Sequence, residues 1–310
     1  MTFNNAKFTY SGSNGENHAI DSEGTVKIVK GTYTLTAGSG KGIQSENYLI
    51  IGEENGSDSD LTLTINTSNE GIEAKKIEIY SGIISITAEE DGINAASSGT
   101  DCDETVQCSG NCACYIIYKG GSLTLTSGED GLDANGDITI SGGQIVVFAA
   151  SSSEDQPIDQ DGLLSITGGT VLAAGSSAMG GITATTSQTA KTYTGTINSG
   201  AKLVASETGG SEILSMTTPK AANYLYFNHG TAFTITLDGT ALTLSDAGSG
   251  TSPGGQVGPG QGNTDTTSAT TASTTDDDDD DGDDTIVIYT SNGYFLKGLN
   301  ILFIFGLIFF

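Results

Sequence analysis

The sequence predicts an all-β fold, a parallel β-helix with a C-terminal β segment, followed by a disordered linker and a hydrophobic tail. Three observations predict it. The 310 residues include 44 glycines and no tryptophan, with abundant Thr and Ser, which suits short strands and tight corners better than helices. A segment repeats internally. Within each copy apolar residues alternate with polar ones, the period-two signature of strands with one face inward.

Each repeat is anchored on an acid, a glycine and an apolar residue. Glu70-Gly71-Ile72-Glu73-Ala74, Asp91-Gly92-Ile93-Asn94-Ala95 and Asp130-Gly131-Leu132-Asp133-Ala134 align, with a weaker copy at Lys41-Gly42-Ile43-Gln44-Ser45. Gly42 to Gly71 spans 29 residues, Gly71 to Gly92 spans 21, and Gly92 to Gly131 spans 39, where a cysteine segment intervenes. A later copy, residues 158 to 169, aligns without gaps on residues 132 to 143 and puts Asp155 in the place of Asp130. Alternating pairs such as Ile77 and Ile79, Leu123 and Leu125, and Ile138 and Ile140 mark the strands. Gly82 and the pairs Gly120-Gly121, Gly142-Gly143 and Gly168-Gly169 mark the corners between them, where positive φ is expected. Such a period fits the stacked coils of a β-helix; a β-propeller, the competing architecture, needs blades of about 40 to 50 residues.

Charge narrows the function. The chain has 38 acids against 11 bases, every base is Lys, and the formal net charge is −27. Eight acids form one run, Asp276 to Asp281 with Asp283 and Asp284, so the rest still carries 30 acids against 11 bases. Nucleic acid is an unsuitable partner and a cation a suitable one.

Stacked coils place equivalent residues about 4.8 Å apart. The acids before the glycine then form a column of Glu70, Asp91, Asp130 and Asp155, and two residues past the glycine runs a second column of Glu73, Asn94, Asp133 and Asp159. Glu90, Glu129 and Glu154 lie one residue before the first column. Neighbouring carboxylates at that spacing repel by roughly 0.9 kcal/mol in water, and several-fold more at a partly buried corner. Ca²⁺ would neutralise them, since it takes six to eight oxygens from carboxylates, Asn side chains, carbonyls and water. The mixture of Asp, Glu and Asn without His or Cys suits Ca²⁺ better than Zn²⁺. The competing reading is that these side chains face solvent and cap turns. Lys41 stands where the first copy would have its acid and is expected to neutralise the top of the column. Asp137 has no matching acid in other copies and is expected to face solvent.

On the stretches GTYTLTAGSGKGIQS, GIISITAEEDGINAA, GGSLTLTSGEDGLDANGDITISGGQIVVFA and PIDQDGLLSITGGTVLAAGSSAM, the chain resembles the calcium-binding, carbohydrate-binding β-helix family of cellulolytic clostridia, which has a pectate-lyase-like fold. The resemblance covers residues 18 to 180 and extends towards 248 through TPKAANYLYFNHGTAFTITLDG. It implies a right-handed helix, Ca²⁺ held at Asp91, Asn94, Asp130, Asp133 and Asp159, and binding of acidic, pectin-type plant cell-wall polysaccharide. The chain departs from the family by inserting a cysteine cluster after Ala95 and by lacking one or more N-terminal coils.

The function expected is non-catalytic, calcium-dependent carbohydrate binding at a cell surface. One alternative is a calcium-dependent polysaccharide lyase acting on polyuronate, and a third class is a surface adhesin or structural protein. A lyase needs a base, commonly Arg, which is absent; Lys75 and Lys76 sit beside acids that would raise their pKa values, which leaves Lys119 as the better-placed candidate. A sugar platform without Trp would fall to Tyr115 and Tyr118, beside Lys119.

Cys102, Cys108, Cys112 and Cys114 allow three disulfide pairings, and a zinc knuckle is the rival use; x5, x3 and x1 spacing favours two disulfides in an oxidising compartment. Asn55 and Asn66 head glycosylation sequons. The expected organisation is a carbohydrate-binding β-helix over 1–175, a closing β segment over 176–248, a Thr, Gly and Asp linker over 249–285 and a hydrophobic anchor signal over 286–310. The tail LNILFIFGLIFF is short for a span, and Ser291-Asn292-Gly293 before it resembles a glycolipid-anchor site at Ser291, with a membrane tail anchor as the alternative. The N-terminal MTFNNAKFTYSGSNG is not a signal peptide, so an extracellular, membrane-anchored location carries the expectation of a truncated gene model.

Overall fold

A computed structural model describes residues 1–12, 17–96, 102, 113–151, 155–249 and 286–287. Among these the chain is almost entirely strand and winds into a parallel β-solenoid of about six turns. An incomplete first turn supplies β1 (Thr2–Phe3) and β2 (Ala6–Ser11), and the next supplies β3 (Ile20–Ser22), β4 (Thr25–Ile28) and β5 (Gly31–Thr36). Then come β6 (Ile43–Ile51) with β7 (Leu61–Ser68), and β8 (Ile72–Ile79) with β9 (Ile83–Ala88). The cysteine insertion separates β10 (Ile93–Ala95) from β11 (Tyr115–Tyr118) and β12 (Ser122–Thr126). The last two turns are β13 (Leu132–Ala134) with β14 (Asp137–Phe148), and β15 (Ile158–Gln160) with β16 (Leu164–Gly175).

The turns stack into three parallel faces. The first runs β3, β6, β8, β10, β13 and β15, the second contains β4, β6, β8, β11, β14 and β16, and the third contains β2, β5, β7, β9, β12, β14 and β16. The long strands β6, β8, β14 and β16 each serve two faces. Inward residues form continuous apolar columns, such as Ile20, Ile43, Ile72, Ile93, Leu132 and Ile158, all buried. Each such side chain contributes about 1.5–3 kcal/mol relative to exposure.

Glycine makes both kinds of corner possible. At Gly92 a Cβ would collide with the Leu125 side chain packed beneath it, so the glycine of each acid–glycine pair is a requirement of close stacking. At the opposite corner Gly82, Gly121, Gly143 and Gly169 have φ values of 119°, 93°, 75° and 82°, in the left-handed region expected of them.

The solenoid ends where chain direction changes. After β17 (Thr185–Thr186) come β18 (Thr189–Ile197), β19 (Lys202–Glu207), β20 (Glu212–Thr217), β21 (Ala222–His229), β22 (Phe233–Leu237), β23 (Thr240–Ala241) and β24 (Ser245–Asp246). Strand β21 pairs antiparallel with β16 from Val171–Asn228 to Gly175–Tyr224, covering an edge that would otherwise invite further pairing. Strands β20, β19, β22 and β23 form a second sheet that packs on the outer side of the last two turns. There Val146, Phe148, Leu172 and Ala174 point out of the solenoid yet are buried against Leu203, Leu225, Phe227 and Ile235. This double burial explains the unbroken apolar runs IVVF and VLAA. Among the described residues no helix is long and apolar enough to cross a membrane.

Candidate cation and carbohydrate-binding site

The second predicted column is a row of strand partners. Gln44 pairs with Glu73, Glu73 with Asn94, Asn94 with Asp133, and Asp133 with Asp159. Flanking residues such as Leu132 and Ala134 point into the core, so these side chains point outward.

The first column is placed by backbone hydrogen bonds. Gly42, Gly71 and Gly92 donate to the carbonyls of Glu70, Asp91 and Asp130, which stacks Lys41, Glu70, Asp91 and Asp130. The next member differs from expectation. Gly131 N–H donates to the Gln156 carbonyl and Leu132 N–H to that of Pro157, so Pro157 takes the glycine's place and Gln156, not Asp155, stacks on Asp130. Asp155 falls one residue earlier, where its like charge adds to burial and Glu90 in raising the pKa of Glu129, and Glu154 lies outside the described residues.

The corner is partly neutralised by the protein itself. Lys41 Nζ lies 3.2 Å from Glu70 and also contacts Glu73, closing the top of both columns as expected. Asp91 accepts the Asp130 N–H at 2.9 Å, and Asp130 in turn accepts the Gln156 N–H. The turn-capping reading is therefore correct for one oxygen of each. Asp137 does not merely face solvent, because its Oδ1 accepts the Leu163 N–H of the next turn at 2.8 Å.

Below Lys41 the acids crowd one another. Burial first, then neighbouring acids, pushes Asp91 up to about 6 and Asp130 up to about 8, despite the backbone hydrogen bond each accepts. Asp133 is pushed well above the carboxylate range by burial and by Asp91, Asp130 and Asp159, and Asp159 is raised by burial. Two buried oxygens, Asn94 Oδ1 and Glu70 Oε2, have no hydrogen-bond partner. Hard, oxygen-only donors of this kind fit a cation such as Ca²⁺. Among the described residues no three His, Cys, Asp or Glu side chains converge on one point, so binding there would require side-chain rotation.

The cysteine insertion is tied to this corner. Cys102 and Cys114 form a disulfide, and the Cys102 carbonyl accepts the Asn135 amide at 2.8 Å, two residues past Asp133. Cys108 and Cys112 lie outside the described residues, as does Ser291. Asn55 and Asn66 are both exposed. A residue missed by the sequence reading is Lys220, from the closing segment. Its Nζ donates to the Ser127 carbonyl at the start of the acidic corner, with its pKa lowered by burial.

The expected sugar platform is only half realised. Tyr118 is a core residue at 1% exposure, stacked between Ile79 and Ile140, because it shares inward parity with Ile116. It does not form a platform. Tyr115 does lie on the outer side, where its neighbours are Tyr48, Tyr80 and a buried Glu78. Tyr115 hydroxyl lies 3.4 Å from Glu78, the Tyr80 hydroxyl donates to it, and Tyr48 is bonded to it as well. Burial alone would raise Glu78, but these hydroxyls and the Lys119 charge bring it below its ordinary value. Lys119 covers the Tyr80 ring with its Nζ 4.4 Å from the centroid, and the Tyr80 hydroxyl holds its pKa up. Tyr48 and Tyr115 both pair with Lys76, a relationship that only the register reveals.

No curated protein and no solved structure matches the chain. A family model described as carbohydrate-binding domain-containing protein matches it twice, over residues 12–100 and 58–161. The overlapping matches lie on the stacked turns that carry the acidic columns. In these turns the chain is similar to carbohydrate-binding domain-containing proteins.

Proposed function

We propose that this protein is a non-catalytic carbohydrate binder of the cell surface that takes Ca²⁺ at its acidic corner and prefers acidic, pectin-type polysaccharide. The observation that carries the reading is the register that sets Glu73, Asn94, Asp133 and Asp159 side by side. Asp91 and Asp130 adjoin that row and have pKa values raised by burial and by neighbouring acids, so a divalent cation would relieve that repulsion. A bound Ca²⁺ would leave coordination positions for uronate carboxylates. The chain's own residues would supply Asn94 and Glu70 oxygens and the carboxylates of Asp91, Asp133 and Asp159. The Cys102–Cys114 disulfide fits an oxidising, extracellular setting.

Binding is favoured over lyase chemistry. A lyase base must lose its proton near neutral pH, and Lys119 is shifted the opposite way by Tyr80. The test is equilibrium binding to polygalacturonate with Ca²⁺ and with chelator, monitored also for unsaturated products. Chelator-sensitive binding without product formation is expected. Binding indifferent to chelator would overturn the cation's role, and ultraviolet-absorbing products would make the protein a lyase.

A further inference from the structure

The first edge of the solenoid is uneven. The incomplete first turn lays β1 on β4 and β2 on β5, whereas on the first face no parallel strand of the described residues precedes β3. In a parallel ladder alternate residues bond to opposite neighbours, and the Ile20 N–H donates to the Gly42 carbonyl of the following turn. The amide and carbonyl of Asp21 therefore point to the open side. What meets them is the far end of the chain: β25 (Ile286–Val287) runs antiparallel to β3, with Val287 opposite Asp21 and Ile286 opposite Ser22.

Sequence, reach and charge each suit that return. Thr285-Ile286-Val287-Ile288-Tyr289-Thr290 is β-branched or aromatic throughout. The same register, carried one residue on, would set Ile288 opposite Ile20, at the head of the buried column Ile20, Ile43, Ile72, Ile93, Leu132 and Ile158. Residues 247–285 number 39, and a flexible chain of that length has an r.m.s. span of roughly 31–37 Å. From the open side of β3 to β15 the first face is six spacings deep, roughly 29 Å. A linker whose span matches its gap gives close to the highest effective concentration. Residues 42–161 hold 22 acids against three lysines, but residues 1–41 hold three acids against four lysines, Lys7, Lys27, Lys30 and Lys41. The eight aspartates just before β25 thus reach an end of the molecule that does not repel them.

We infer that residues 285–289 are the capping strand of this open first edge, supplied in cis by the chain's own C-terminal segment. The cap satisfies the Asp21 backbone groups and blocks pairing of that edge with another copy. It is strand addition of the kind used in peptide recognition, with the ligand tethered. The acidic linker becomes a strap along the solenoid, and the apolar residues 299–310 emerge beside its first turns instead of beside its closing segment. Cleavage at Ser291 would leave the cap in place. The inference depends neither on the cation nor on carbohydrate.

The experiment uses the full chain in mild detergent. Ser22→Cys/Ile286→Cys joins two positions that face each other across β3 and β25, within reach of a disulfide, and Ser22→Cys/Ala272→Cys is the linker control. Peptide mapping after mild oxidation is expected to find the 22–286 bridge within single molecules, and no bridge in the control. Hydrogen exchange is read in parallel. The Asp21 amide is expected to exchange about tenfold faster in Val287→Pro, which removes the N–H facing Asp21, than in wild type or in Ala272→Pro. Should the cysteine pair misfold, exchange in Val287→Pro decides. A bridge formed only between molecules would give the edge to a second copy and overturn the cap in cis. No bridge in a folded pair, or an Asp21 amide that exchanges alike in all three proteins, would overturn the cap itself. Polygalacturonate binding in Ca²⁺ is expected to be unchanged in Val287→Pro, so this inference and the cation reading fail separately.

Discussion

The Asp130 amide donates to the Asp91 carboxylate of the preceding turn at 2.9 Å, so the acids of the column also fasten successive turns together. One oxygen of Asp91 is structural, while its charge is a liability raised by burial. The two roles are separable by substitution. Asp91→Asn keeps an acceptor for the Asp130 N–H and removes the charge; in chelator its melting temperature is expected to equal or exceed that of wild type. Asp91→Ala leaves that N–H without its partner and is expected to cost about 1–3 kcal/mol in denaturant unfolding.

Cation-free protein is expected to lose stability as pH rises. Asp91 at about 6 and Asp130 at about 8 both lie above the unperturbed 3.8. The folded form holds protons that the unfolded chain releases, so stability is fully present below about pH 4 and declines up to about pH 8. A melting temperature in chelator that climbs across this range would contradict the raised pKa values.

Lys41→Met removes the only lysine contacting Glu70 and Glu73 among the described ion pairs. All three side chains are largely shielded from water, with exposures of 19%, 13% and 20%. The variant is expected to be destabilised by about 2 kcal/mol near neutral pH, and less at acid pH where the glutamates protonate. Equal loss at both pH values in urea titrations would mean that packing by the lysine stem, not its charge, is what matters.

The Cys102–Cys114 bridge closes a separation of 12 residues. Replacing both cysteines with Ser is expected to lower stability by about 2–3 kcal/mol through the freed unfolded chain. Calorimetry of the double variant checks this, and the Cys102 contact with Asn135 predicts that the acidic corner loosens first in hydrogen exchange.

Much of the fold was legible because its signals are local. Alternating Ile and Leu positions report which residues face inward, and the second column follows once Ile72, Ile93, Leu132 and Ile158 are aligned. The misplacement of Asp155 arose at Gln156-Pro157, which replace the single glycine of the other copies, although Ile158 aligned on Leu132 already puts Gln156 opposite Asp130. Tyr118 was misread because the cysteine insertion hid the strand's phase, although its spacing from Ile116 already implied burial. The Tyr48, Glu78 and Tyr115 cluster could not be read from spacing, since its members come from different turns.

The sequence by itself determined the coil, its corner glycines and the stacking of acids in register, because period-two alternation and close glycine packing act over a few residues. Only the tertiary structure decided which acidic oxygens are spent on the next turn's amides and which outer face the closing segment covers. Those outcomes depend on how turns stack and where Ser127 meets Lys220, 93 residues away, and no local pattern encodes a contact over that distance.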